Sequence, residues 1–484
     1  MSSLEEIRDT RIAKLKLLEE RGMAPFPDKI ARDFSLAEVR AQFESIGTEK
    51  EISIAGRIMA IRGQGAILFA VLDDGTDRFQ AVFKKDEITE EIFSLFTDAV
   101  DIGDFLSVTG KLFTTQRGEQ SILVKNWQMG TKTLLPLPEK WHGLQDVEER
   151  FRKRYLDIVM DPTQRDLFSK KAKFWSVTRK VMEEEGFLEV ETPTLEVTTG
   201  GAEANPFKTH HKDFDLDVFL RISIGELWQK RLMAAGFPKT FEIGRAYRNE
   251  GSSPEHLQEF TNMEFYWGYA NYEDGMALSQ KLYQRIATEV FGTTTFTTRG
   301  HTFDLAGVWP RIAYVDEIKK QTGVDVLSAS EQEMKDKLDA LSVKYDGDNR
   351  ERLMDTLWKY CRKNITGPVF VIHHPKLVSP LSKALPENPE LTERFQILIA
   401  GSEVGNGFSE LNDPIDQRAR FELQQKLIDR GDTEAMQPEW EFVAMLEHGM
   451  PPTCGFGFGE RLFAFMVDKP IRETQLFPLM RPKD

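Results

Sequence analysis

Cysteine is nearly missing from this chain. Only Cys361 and Cys454 occur, far apart and without metal-ligand spacing, which argues against a disulfide framework or a zinc site. No apolar run approaches the length that crosses a bilayer, and the N-terminal MSSLEEIRDTR carries charges where a signal peptide needs an apolar core. A reducing cytoplasm and no membrane partner are the expectations. An excess of positive charge is also lacking: 63 Lys and Arg face 78 Asp and Glu, a formal net charge of −15. Nucleic-acid binding through a general positive field is thereby disfavoured, whereas binding through a local basic face is not. Internal repeats and low-complexity tracts are absent. What remains is an ordinary globular composition, 40% hydrophobic and 29% charged over 484 residues, long enough for two or three domains.

Residues 4–21 read as an amphipathic helix with Leu4, Ile7, Leu15 and Leu18 on one face. It is either a docking helix with solvated charges or a basic surface for nucleic acid. Between Glu51 and Met129, short segments rich in β-branched and aromatic residues (EISIAGRIMAIR, ILFAVLDD, FQAVF, FLSVTGKLF, QSILVKNWQ) alternate with turn sequences. Five strands with a helical interruption near 86–98 predict a small closed barrel of the OB type, with a generic sandwich as the alternative. The expected domains are an N-terminal helix over 1–30, the barrel over 31–135, a linker over 136–160, and a large domain over 161–484. In the large domain helices and strands mix without regular alternation, so the fold class is α+β on an antiparallel sheet flanked by helices. A polar helical stretch at 322–365 reads as an insertion.

Three stretches carry candidate chemistry. The first is a helix over about 163–185, ended by Gly186 and followed by a strand towards Pro193. The second, FEIGRAYRNEGSSPEHLQEFTNMEFYW (241–267), predicts a long hairpin, with Arg248 and Glu250 alternating onto one face and Phe260 and Glu264 returning on the second strand. A fixed guanidinium beside a flat aromatic face suits a nucleotide; a lone RxE is more simply a surface ion pair. The third combines GSEVGNGFSELND (401–413) with GFGFGERLF (455–463), where glycines on a strand let a planar ligand approach the backbone and Arg461 follows. A glycine-rich core strand is the plainer reading of that pattern.

In this order, these stretches resemble motifs 1, 2 and 3 of class II aminoacyl-tRNA synthetases. The barrel and the HGLQD…RKRYLD connector look like the aspartate/asparagine/lysine subgroup, and GGAEANPFKTHHKDFDLDVFLRI, GELWQKRL and NGFSELND look like its lysine-specific members. The resemblance implies a homodimeric enzyme that activates lysine with ATP and Mg²⁺ and loads it onto tRNA(Lys). Carried over, Arg248 would hold the α-phosphate and the lysine carboxylate, Glu250 the adenine amino group, His256 the γ-phosphate and Phe260 the adenine face. Arg461 would close the adenine from above and Glu403 would hold Mg²⁺. Glu264, Glu410 and Tyr266 would bind the ε-ammonium and Phe408 the stem. Glu226 and the backbone of Gly201 would take the α-amino group, and Asn406 the carboxylate. A pocket for a buried ammonium needs carboxylates, because an unpaired buried charge is strongly disfavoured. On the barrel, Phe69 would stack an anticodon base while Arg62, Gln80 and Glu119 read base edges; for Phe69 alone, a core aromatic is the simpler assignment.

Four departures from the family pattern bear on phosphate and metal binding. Gln396 stands where an acidic residue is usual, and Glu255 where a basic one is usual. One residue is added between Arg221 and Glu226, and one is missing between Gly459 and Arg461. They motivate an alternative: a degenerate paralogue that binds tRNA or a partner without catalysis.

Overall fold

Ser3 starts the first helix, α1 (Leu4–Glu20): its hydroxyl accepts from the Glu6 N–H at 3.1 Å, and the Glu6 carboxylate accepts from the Ser3 N–H at 2.7 Å. This computed structural model describes residues 3–138, 146–198, 200, 204–251, 253–345, 347, 349–429 and 436–483, and the chain divides into two units, Met1–Met160 and Asp161–Asp484. The inward face of α1 differs from the expected stripe. Leu18 is fully buried but Leu4 is 64% exposed, and Arg11 turns inward instead. Its guanidinium donates to Thr133 Oγ1 at 2.6 Å and to the carbonyls of Ile102 and Leu135, while Lys14 pairs with Asp101 at 2.7 Å. The helix docks on its own unit.

In that unit, β1 (Glu51–Gln64), β2 (Ile67–Asp73), β3 (Arg78–Lys84), β4 (Phe105–Thr114) and β5 (Gln120–Thr131) close a barrel in the order β1-β2-β3-β5-β4. Strand alternation sends Ile52, Ile54, Leu68, Ala70, Phe79, Ala81, Val108 and Ile122 to its interior. The helical interruption is α2 (Glu90–Ala99), capped by Thr89 and seated through Phe93, Leu95 and Phe96. Its neighbour Trp127 donates from Nε1 to the Ile92 carbonyl at 3.1 Å.

The second unit begins with α3 (Pro162–Glu184), whose Asp161 cap and first-turn Pro162 favour the helical start. Gly186, at φ +80°, ends it: the Phe187 N–H returns to the Met182 carbonyl at 3.0 Å. After it come β6 (Leu188–Glu189), α4 (Glu226–Ala234), β7 (Lys239–Tyr247), β8 (Glu259–Gly268), α5 (Tyr272–Ile286), β9 (Arg311–Ala313) and α6 (Arg350–Arg362). The chain continues through β10 (Val369–Ile372), β11 (Arg394–Ile399), β12 (Ser402–Ser409), α7 (Trp440–His448), β13 (Thr453–Gly459) and α8 (Arg461–Met466). The eight strands form one sheet in the order β9-β10-β11-β12-β13-β8-β7-β6. Its two outermost pairs are parallel and the rest antiparallel.

The period-two rule gives this sheet two different faces. Met263 and Phe265 of β8, Phe395 and Ile397 of β11, and Phe456 and Phe458 of β13 join α3 and α5 in the main core, with Phe174, Val181, Leu282 and Tyr283. The residues between them, Asn262, Glu264, Tyr266, Arg394, Gln396 and the three glycines of β13, turn to the other face, which stays open. The 322–365 stretch contains helices Glu331–Ala340 and α6, which build a cluster of their own from Met334, Leu338, Leu353, Leu357 and Trp358.

Candidate active site

The open face of the sheet floors a cavity of about 550 Å³. Arg248, Glu250, His256, Phe260, Glu403 and Arg461 line it, and so do Glu226, Glu264, Tyr266, Asn406, Phe408 and Glu410. Thus every residue expected to hold nucleotide or amino acid meets there, apart from Gly201, which lies outside the described residues.

At one end the β7–β8 hairpin runs in register from Lys239↔Trp267 to Tyr247↔Glu259. Arg248 and Glu250 were expected on the strand; they stand just past its end, where the Arg248 N–H still bonds the Gln258 carbonyl at 2.8 Å. The Arg248 guanidinium carbon lies 5.4 Å from the centroid of the Phe260 ring, the pairing of cation and flat face that suits a nucleotide. Among the described residues no carboxylate pairs with Arg248, so its charge is available to an anion. His256 accepts or donates with Ser253 Oγ at 2.7 Å. Partial burial, then the neighbouring charges of Arg461 and Arg248, pull its imidazole below the usual range against the opposing charge of Glu255. Arg461, first residue of α8, donates from Nη1 to the Glu403 carbonyl at 2.9 Å.

At the other end the cavity is acidic and its carboxylates are buried. Glu264 is 7% exposed; its carboxylate accepts from the Ile224 N–H at 2.8 Å and from the Tyr266 hydroxyl at 3.1 Å. Burial, with repulsion from Glu226, pushes Glu264 up to about 7. Glu410 is 1% exposed and burial pushes it up to about 8 against the pull of Lys230. Lys230, unforeseen from the motifs, reaches 2.5 Å from Glu410 Oε2 and 3.1 Å from Glu226 Oε1. Burial opposes its charge, but Glu410 and Glu226 outweigh that and raise its pKa. Asn406 accepts from Arg394 Nε at 2.9 Å.

The β13 glycines make this arrangement sterically feasible. A Cβ on Gly457 would come 2.9 Å from Glu264 Cγ, and one on Gly455 would come 2.2 Å from Glu410 Oε1 and 2.8 Å from Tyr266 Cε1. They were expected to admit a planar ligand; what they admit here are the acidic side chains and the tyrosine of the neighbouring strands.

The four departures have local answers. Glu255 is paired with Arg299, accepts from Ser402 Oγ at 2.9 Å and lies 4.0 Å from Arg461 Nε, so its negative charge is compensated from a turn distant in sequence. Gln396 donates to Glu403 Oε2 at 2.8 Å. Before Glu226, Gly225 at φ +64° starts α4, and Glu226 lines the cavity. Before Arg461, Gly459 pairs with Asn262 and the chain turns at once into α8, so Arg461 still lines the cavity. The stretch at 322–365 also contributes: Glu351, Arg352, Asp355, Lys359 and Arg362, spaced along one side of α6, line the same cavity. Polar helical spacing was the only sequence signal for them.

No group of three or more His, Cys, Asp or Glu placed to hold a metal occurs among the described residues. Glu403 lines the cavity beside Gln396, which donates to it, and the buried Gln396 side chain also lies against His374. One carboxylate suits a hard cation that takes most of its coordination from water and phosphate.

On the barrel, Arg62 of β1 pairs across to Phe69 of β2, and Gln80 of β3 stands opposite Val71. Phe69 is half-buried between inward Leu68 and Ala70, so it faces outward and is no core aromatic. Gln80 donates to Ser121 Oγ at 2.9 Å, two residues on from exposed Glu119. The four share one side of the barrel.

A nucleotide-sized cleft on a six-strand antiparallel centre, preceded in the chain by an OB barrel, defines a class II aminoacyl-tRNA synthetase. The chain belongs to that family: residues 146–481 match the tRNA synthetases class II (D, K and N), and residues 52–129 match the OB-fold nucleic acid binding domain. It is 43% identical to the lysine–tRNA ligase of Roseiflexus sp. (strain RS-1), covering 99% of this chain and 100% of that protein. The lysine–tRNA ligases of Thermotoga maritima, at 40% identity, and Halalkalibacterium halodurans, at 41%, match 99% of this chain and 97% and 98% of their own lengths.

Proposed function

We propose that the protein is a lysine–tRNA ligase: it joins L-lysine to ATP as lysyl-adenylate and transfers the lysyl group to the 3′-terminal adenosine of tRNA(Lys). The observation that carries this reading is the buried acidic cluster of Glu226, Glu264 and Glu410 beside the Arg248–Phe260 pair. An aspartate or asparagine side chain would meet like charge or unanswered charge there, whereas an amine tip would be neutralised. The name shared by full-length relatives supports it.

In this mechanism Phe260 stacks the adenine, Glu250 reads its amino group and Arg461 covers its other face. Arg248 holds the α-phosphate against the lysine carboxylate, and His256 donates to the γ-phosphate. Glu226 takes the α-amino group with the Gly201 backbone, Asn406 the carboxylate, Glu264, Glu410 and Tyr266 the ε-ammonium, and Phe408 the stem. The lysine carboxylate attacks the α-phosphorus in line and pyrophosphate leaves, a step that needs positioning and charge neutralisation more than proton transfer. Glu403 would hold Mg²⁺, which neutralises developing phosphate charge. Arg62, Phe69, Gln80 and Glu119 bind splayed anticodon bases on the barrel. The exposed apolar Leu188, Leu195 and Val197 that follow α3 support pairing of two copies through this segment. Among the described residues no helix is long and apolar enough to cross a membrane.

The test is exchange of labelled pyrophosphate into ATP with lysine, aspartate or asparagine as the sole amino acid. Exchange with lysine is expected; exchange only with aspartate or asparagine, or with none of the three, refutes the assignment.

A further inference from the structure

Lys230 bridges two carboxylates of the amino-acid pocket, and this chemistry leaves it without a task. It follows Glu226 by one turn of α4 and is 1% exposed. Its ammonium bridges Glu226 and Glu410 at 3.1 and 2.5 Å and lies 5.3–5.8 Å from the ring centres of Phe408, Phe442 and Tyr266. The groups facing it are Glu226 from its own helix, Glu264 and Tyr266 from β8, and Glu410 just after β12; α7 presents only Phe442. A plain structural ion pair would explain one such contact. The charge count points further. Once an arriving ammonium has displaced the protons that Glu264 and Glu410 hold in the empty pocket, three ionised carboxylates and one ammonium leave two negative charges in this buried cluster. A free amino acid with an amine-tipped side chain brings two ammonium groups, and its carboxylate is answered separately by Arg248.

We propose that Lys230 is a positioning residue that sets the charge of this pocket to match an amino acid carrying two ammonium groups, and so takes part in choosing lysine over amino acids that bring only one. The inference rests on reading the pocket as the lysine site. Without Lys230 a third carboxylate would stay buried beside the bound substrate with no partner, and would have to bind a proton or a stray cation. With Lys230 in place, a substrate bearing a single ammonium leaves one buried charge unanswered and is rejected for the same reason.

The full-length enzyme tests this through Lys230→Met, Glu410→Gln and the double variant, measured by pyrophosphate exchange. Each single change displaces the pocket from its matched charge, in opposite directions, so each raises KM for lysine roughly 30-fold. The double variant restores the match, and its KM for lysine falls at least about fivefold below either single variant. KM for ATP stays within about threefold of the wild type throughout. A structural role predicts the opposite, a double variant as poor as the worse single one, and that result overturns the proposal. Lys230→Ala gives a second reading: propylammonium restores its lysine KM saturably and 1-propanol does not, whereas equal effects of the two, or none, overturn it. If the wild-type enzyme shows no lysine-dependent exchange, the lysine reading itself fails. If it does, and the double variant shows no recovery, only the charge match fails.

Discussion

Replacing Glu264 by glutamine removes one charge and almost no volume. In the structure the Glu264 carboxylate accepts from the Ile224 N–H at 2.8 Å and from the Tyr266 hydroxyl at 3.1 Å. A glutamine keeps the first contact through its amide oxygen and can donate to the tyrosine oxygen instead, so the packing around Gly457 is retained. What disappears is a charged partner for the bound ε-ammonium, with Glu410 left as the other. A hydrogen bond between charged groups in such a site contributes about 2–3 kcal/mol, so KM for lysine should rise about 30- to 150-fold. KM for ATP should stay within about twofold, because Arg248, Phe260 and Arg461 grip the nucleotide at the other end of the cavity. Pyrophosphate exchange, with lysine varied at saturating ATP and then ATP varied at saturating lysine, separates the two constants. A common shift of both, or no shift in lysine, refutes the placement of the ammonium.

Gly457→Ala places a methyl group 2.9 Å from Glu264 Cγ; overpacking of about 1–2 kcal/mol should raise KM for lysine about tenfold in the same assay and leave ATP unaffected. Because Glu264 and Glu410 are raised to about 7 and about 8, the empty pocket holds protons that an arriving ammonium must displace. Lysine affinity should therefore fall as pH drops through that window and rise towards about pH 8.5, while the substrate ε-ammonium stays charged; calorimetry in two buffers of different ionisation enthalpy should detect the released protons. Phe69→Ala should slow tRNA charging at least about tenfold by loss of one base stack and leave pyrophosphate exchange intact. Loss of both activities would make Phe69 structural.

Much of the site was legible because its signals are local. The turn-rich stretch between two extended segments from 241 to 267 describes a hairpin, although its register came from the structure, and Gly186 ends α3 as its backbone freedom requires. Glycine alternation in GFGFG marked a strand with one bare face, although the beneficiaries of that bareness, Glu264, Tyr266 and Glu410, come from strands remote in sequence. Where local rules conflicted, the structure chose. Arg11 is buried on α1 while Leu4 is exposed, because carbonyl and hydroxyl acceptors of Ile102, Thr133 and Leu135 satisfy the Arg11 guanidinium. Helix α6, read as part of a polar insertion, lines the cavity because its apolar side is claimed by Leu353, Leu357 and Trp358.

From sequence alone came the barrel and the hairpin, because periodicity, caps and turn signals are short-range properties of the chain, while the family and the residues that meet in the cleft came from the resemblance of its motifs. The tertiary structure alone decided how charges are balanced: Arg299 answering Glu255, Gln396 turned onto Glu403, and Lys230 lodged between Glu226 and Glu410. Coulomb interactions in a buried site depend on distance through space and on exclusion of water. Neither is written in the spacing of residues along the chain.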